Sequence, residues 1–165
     1  MIGADENQPH SYLELVDAIR QHGADVRKDL KELWSRILFS VLVWNLDGHL
    51  RNHGFLYDTD KRGWRLSPAY DLNPVPIDIK PRILSLMIDD RGNSASFDLT
   101  VEVGNYFGLA EDEMRAVTTD LIKSISKWRD EAKRIGVQAE EINRMATAFE
   151  HDEMVRAQRF LRSVS

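Results

Sequence analysis

A broad apolar face that runs straight into a polar loop constrains this chain more than any other feature. After Asp25, residues Leu30, Trp34, Leu38 and Leu42 fall at i+4 steps, and Leu33, Ile37, Val41 and Trp44 form an adjoining stripe. Apolar residues recurring at threes and fours share one side of an α-helix, so two adjoining stripes predict a helix buried over a wide face, central to the core. That helix ends where Asn45-Leu46-Asp47-Gly48-His49-Leu50-Arg51-Asn52 begins. A rigid buried element leading into a loop fixes the loop's reactive groups.

The other segments arrange themselves around this pair. Residues 1–10 read as a polar lead-in and 11–165 as one domain. Ser11 can cap a first helix carrying Leu13, Val16 and Ile19, and Gly23 would end it. Phe55-Leu56-Tyr57 and Trp64-Arg65-Leu66 read as two short strands joined by the polar, glycine-containing turn 58–63. Pro68, Pro74, Pro76 and Pro81 exclude a regular helix from 67–81. A short strand is predicted over Arg82–Ile88 and a turn over 89–93. Helices follow over roughly Leu99–Phe107, then through Met114, Val117, Leu121, Ile125, Trp128, Ala132 and Ile135, then from near Ala139 almost to the end. The fold class expected is mainly α (α+β), helical with one small β-hairpin beside the polar loop.

Composition limits the function classes. With 165 residues, 42% apolar and 30% charged, the chain suits one soluble globular domain. A net charge of −5 gives no global attraction to nucleic acid or membrane. No cysteine is present, which excludes disulfides and thiolate metal sites and suits a reducing, cytoplasmic setting. The longest apolar run, Ile37–Trp44 with Ser40 inside it, is too short to span a bilayer. Met1–Asn7 lacks the basic and apolar segments of a signal peptide. Trp34, Trp44, Trp64 and Trp128 read as core anchors. Lys123, Lys127, Arg129, Lys133 and Arg134 read as a solvated helix face, because Asp130 and Glu131 interrupt them. His10, His22 and His151 are assigned to the surface, His151 with Asp152 and Glu153 as helix-surface charge. His53 is assigned to a plain strand entry.

Asp47 and Asn52 stand five positions apart, the Asp-to-Asn spacing of a protein-kinase catalytic loop, and Asp71 supplies a further acid after the hairpin. Phosphoryl transfer needs a carboxylate within reach of the attacking hydroxyl, plus oxygen ligands for magnesium. Asp47 can be that base, Asn52 a neutral ligand and Asp71 a charged one, with His49 and Arg51 as nearby donors for phosphate oxygens. Asp47 and Asn52 taken singly also suit turns and caps, and Asp71 suits a turn before Pro74.

The combined run Asn45-x-Asp47-x-His49-x-Arg51-Asn52, then Gly54-Phe55, then Trp64-Arg65-Leu66-Ser67-Pro68-Ala69-Tyr70-Asp71-Leu72, resembles the C-terminal half of the HipA-family serine/threonine kinases, which are bacterial. The resemblance extends through Leu84-Ser85-Leu86 to the helices ending near Phe149. It implies a kinase-like C-lobe, with Asp47 as catalytic base. It also implies an ATP site at His49, Leu50, Arg51, Asn52, Tyr70 and Asp71, and Mg2+ on Asn52 and Asp71. A protein substrate is implied, and an antitoxin partner through which DNA would be met only indirectly. No membrane partner is implied.

Kinases of that family carry an N-terminal lobe with a phosphate-covering loop and an ATP-binding lysine. Only 44 residues precede Asn45, without a Gly-x-Gly-x-x-Gly loop or a strand lysine. The expectation is therefore a C-lobe without its N-lobe, binding ATP weakly and inactive alone. Two other classes compete: an interaction protein binding an antitoxin-type or DNA-bound partner, and a metal-dependent phosphohydrolase. Five histidines, three of them outside the motif, fall short of the donor pattern that two-metal hydrolases need.

Overall fold

A computed structural model describes residues 10–79, 83–89 and 92–163. The lead-in, except for His10, lies outside the described residues, as do Pro81, Arg82, Asp90 and Arg91. Seven α-helices and a two-stranded antiparallel sheet appear among the described residues.

The first helix, α1 (Tyr12–His22), starts after Ser11, whose backbone N–H donates to the Glu14 carboxylate at 3.1 Å. It ends where Gly23 N–H reaches the Ile19 carbonyl at 2.8 Å. The central helix, α2 (Val26–Leu42), buries Leu30, Leu33, Trp34, Ile37, Leu38, Val41 and Leu42, as both stripes require. Trp34 also donates its indole N–H to the Thr100 carbonyl at 2.9 Å, so the ring carries no unpaired donor into the core.

The hairpin pairs β1 (Phe55–Asp58) with β2 (Gly63–Leu66) in the register Phe55–Leu66, Leu56–Arg65, Tyr57–Trp64. Asp29 clamps it to α2. This carboxylate is buried in the first turn of α2 and accepts from Arg65 Nε and Nη2, each at 3.0 Å, and from the Leu66 N–H at 3.1 Å. Gly63 passes so close that a Cβ there would stand 2.9 Å from the Ala24 nitrogen, which only glycine permits.

Five expectations change. Arg82–Ile88 forms no strand among its described residues. Only isolated bridges occur there, Ile83 with Ser94 and Met87 with Ser11, although Leu84, Leu86 and Ile88 are buried as an apolar alternation should be. The long helix through Ile135 breaks into α4 (Glu111–Ile125) and α5 (Trp128–Arg134). Ser126 Oγ caps the Lys123 carbonyl at 3.0 Å there, and Lys127 N–H turns to Ser124. The last helical region likewise divides into α6 (Ala139–Phe149) and α7 (Asp152–Arg162). His151, between them, is buried: Nε2 lies 3.1 Å from the Leu42 carbonyl and the ring packs 4.3 Å from Trp44. Of the four tryptophans, Trp34 and Trp44 are buried, Trp128 is half-buried and Trp64 is exposed. The helix α3 (Phe97–Glu102) and its 3-10 continuation through Phe107 match expectation, beginning two residues earlier.

Candidate functional site

Where α2 stops, Trp44 adopts a left-handed backbone, φ 52°. That bend is held by Asn45, whose N–H reaches the Ser40 carbonyl at 2.9 Å and whose Nδ2 donates to Ser40 Oγ at 3.1 Å. The loop then places Asp47 and His49 in solvent and Gly48 inside. A single 3-10 turn, Leu50–Asn52, follows. Within it Leu50 is half-buried, Arg51 exposed and Asn52 buried. Asn52 Oδ1 accepts from the His49 N–H at 3.0 Å, which fixes the amide plane and leaves Nδ2 to donate to Asp71 Oδ2 at 2.7 Å.

Asp71 is presented by the proline-rich segment after β2. Its φ of 56° is a sparsely populated conformation for a residue with a side chain, held only when the surroundings over-determine it. They do so here. Asn73 Nδ2 donates to Asp71 Oδ1 at 2.7 Å, and Asn73 N–H donates to Asn45 Oδ1 at 3.3 Å. Tyr70 donates its hydroxyl to the Arg51 carbonyl at 2.5 Å, and Val75 N–H reaches the Trp44 carbonyl at 3.2 Å. Each end of the 45–52 loop is thus stitched to the 70–75 segment. Farther back, Arg36 of α2 anchors the approach to that segment by donating to the Ser67 carbonyl at 2.6 Å.

The residues singled out in the sequence therefore converge to different degrees. Asn52 and Asp71 meet directly. Arg51 with Tyr70, and His49 with Asn52, meet through backbone groups. Leu50 forms the turn that carries Asn52, and Asp47 stands exposed three residues before that turn. Both Asp71 oxygens receive an amide N–H, which suits an ionised carboxylate. No cluster of three or more His, Cys, Asp or Glu that could cage a metal occurs among the described residues. Magnesium takes one or two carboxylates and completes its shell with phosphate oxygens and water; Asp71 offers the carboxylate, and the Asn52 oxygen, now on the His49 N–H, becomes a second ligand only if the amide that turns Nδ2 to Asp71 rotates.

Sequence reasoning left Asn45, Asn73, Arg36, Tyr12 and His53 without roles. Asn73 follows Asp71 by two positions, but its amide meets the carboxylate side chain to side chain, a contact that spacing does not announce. Tyr12 and His53 meet edge-on, with centroids 5.3 Å apart, and carried no signal either. Burial, reinforced by Arg36 and His49, pushes the His53 imidazole down to about 4, and burial pushes the Tyr12 phenol up, with Arg36 opposing.

The family model described as HipA-like C-terminal domain matches residues 1–151. A Haemophilus influenzae protein named "Putative kinase" is 31% identical over 113 residues, covering 65% of this chain and 33% of that protein. The chain therefore spans about a third of the length of that relative.

Proposed function

The chain belongs to the HipA-like C-terminal domain family, and we propose that it is the catalytic-lobe portion of a serine/threonine protein kinase, with a kinase-like C-lobe fold. The observation that carries this reading is the direct Asn52–Asp71 pair at 2.7 Å, formed across nineteen residues of sequence by the two side chains that phosphoryl transfer would need as oxygen ligands.

In this reading Asp47 accepts the proton of a protein serine or threonine hydroxyl, for which its exposed position leaves access. Asp71 and Asn52 hold magnesium, which when bound would neutralise charge on the phosphates of ATP. His49 and Arg51, both exposed on the same loop, contact phosphate oxygens. Asn45 and Asn73 keep the two segments in register. The protein would work in the cytoplasm; no described helix is long and apolar enough to cross a membrane.

By itself the chain is inactive, because binding of adenine and covering of the phosphates fall to an N-terminal lobe. A γ-phosphate transfer assay tests this by comparing the chain alone with the chain joined behind the N-terminal portion of the Haemophilus relative. Magnesium-dependent transfer is expected from the joined protein only and is lost in its Asp47→Ala form. Undiminished transfer by that variant overturns the role of Asp47, and kinase-like turnover by the chain alone overturns the need for a partner lobe.

A second reading, a binding module for an antitoxin-type protein that meets DNA indirectly, draws support from the exposed Tyr57–Trp64 pair, edge-on at 5.2 Å on the hairpin. Capture of a small DNA-binding protein, equal for wild type and Asp47→Ala, would favour it.

A further inference from the structure

At the turn that carries Asn52, α2, the 45–53 loop and the segment around Tyr70 line a chamber of about 10 Å³. Its walls include Tyr12, Arg36, Ser40, Gly48 and His53. Arg36 is 5% exposed and His53 8%. Arg36 uses Nε on Glu32 at 2.8 Å and Nη2 on the Ser67 carbonyl. Its Nη1 and both ring nitrogens of His53 are buried without a hydrogen-bond partner among the described residues. Buried polar atoms in folded proteins are rarely left so, and three of them on two residues that line one small chamber point to an occupant.

Donor and acceptor chemistry selects that occupant. Arg36 Nη1 can only donate. A neutral imidazole has one N–H and one bare nitrogen, and the bare nitrogen is satisfied only by a donor. The occupant must therefore accept from Arg36 and donate to His53. A halide accepts but cannot donate, a phosphate is too large for the volume, and a metal cation would face the Arg36 charge with no carboxylate among the lining residues. A hydroxyl does both, and about 10–15 Å³ is the space that one water molecule needs.

We propose that this chamber is a specific site for a single water molecule, which accepts from Arg36 Nη1 and donates to a ring nitrogen of His53. The water links α2 to the loop at the residue that follows Asn52, completing from within the support that Asn45 gives at the loop's start. The site does not depend on the chain transferring phosphate.

Crystals of the full chain, grown at mildly alkaline pH with bromide in place of chloride, test it. The expected result is a solvent peak about 2.7–3.2 Å from both Arg36 Nη1 and a His53 nitrogen, without anomalous signal. An anomalous bromide peak, a chamber without density, or a direct Arg36–His53 contact overturns it. A solution test uses Gly48→Ala, because a Cβ at Gly48 would stand 3.4 Å from the Tyr12 hydroxyl and 3.9 Å from Asn45 Nδ2, ordinary contacts that leave the fold intact. Water-to-amide NOE signals at residues 48 and 53 are expected in the labelled wild type and lost in the variant. Their absence in the wild type, or persistence in the variant, overturns the site.

Discussion

At the residue scale the Asn52–Asp71 pair joins structure to the proposed chemistry. Replacing Asn52 by Asp would set two carboxylates at the separation now bridged by a 2.7 Å hydrogen bond. Like charges so close disfavour the folded form, by about 1–3 kcal/mol for a pair open to solvent on one side. Asn52→Asp is expected to unfold at lower urea concentration than wild type in EDTA and to recover part of the loss in magnesium. An unchanged midpoint in both conditions would contradict a cation site at these residues.

His53 gives a second test. Its folded pKa of about 4 lies below the unfolded value near 6.5. The unfolded chain therefore binds a proton that the folded one refuses as pH falls. Stability is highest above pH 6.5 and declines between 6.5 and 4, by up to about 3 kcal/mol from this group. In metal-free buffer, His53→Gln is expected to flatten that part of the stability profile; a profile parallel to wild type would show that His53 does not titrate in this way. The sequence displayed Asp47, Asn52 and Asp71 because their chemistry is tied to spacing. It did not display Arg36 or His53, because an arginine or histidine in a row of mixed residues looks the same whether it faces solvent or a chamber.

At the element scale, α2 carries the architecture. Its stripes were legible because burial on a helix repeats every three to four residues, and each stripe residue proved to be buried. Asp29 was not legible, since an acid in the first turn of a helix ordinarily means solvent and a favourable dipole. Instead it holds Arg65 and the Leu66 N–H, and so fixes where the hairpin releases the chain toward Asp71. Asp29→Ala leaves that buried N–H without an acceptor and is expected to cost about 2–4 kcal/mol, read from denaturant midpoints. A cost under about 0.5 kcal/mol, the range of ordinary surface substitutions, would remove the clamp from the argument. The helix breaks at Ser126 and Glu150 escaped notice because apolar spacing continues across both. Side chain-to-backbone hydrogen bonds, which periodicity does not register, accompany the first. His151 was misassigned for a related reason: its neighbours Asp152 and Glu153 suggest a surface, while the ring turns inward against Trp44.

At the scale of the whole molecule, helices α3, α4 and α7 pack around α2, the hairpin lies against the start of α2 through Asp29 and Ala24, and the two stitched segments occupy the region where α2 ends. The Haemophilus relative is about three times as long as the stretch it shares with this chain. In the kinase reading, this lobe supplies the base and the cation ligands, and another lobe supplies most of the nucleotide's binding surface. A half-site of that kind has few contacts with which to hold ATP, so its affinity should be low and should depend on the metal. Calorimetric titration of the chain with ATP, with and without magnesium, beside the Asp71→Ala variant, is the most direct measurement. Weak binding is expected, with Kd on the order of 0.1–1 mM, seen only with magnesium and lost in Asp71→Ala. Nanomolar affinity, or binding indifferent to both magnesium and Asp71, would contradict a half-site built on Asn52 and Asp71.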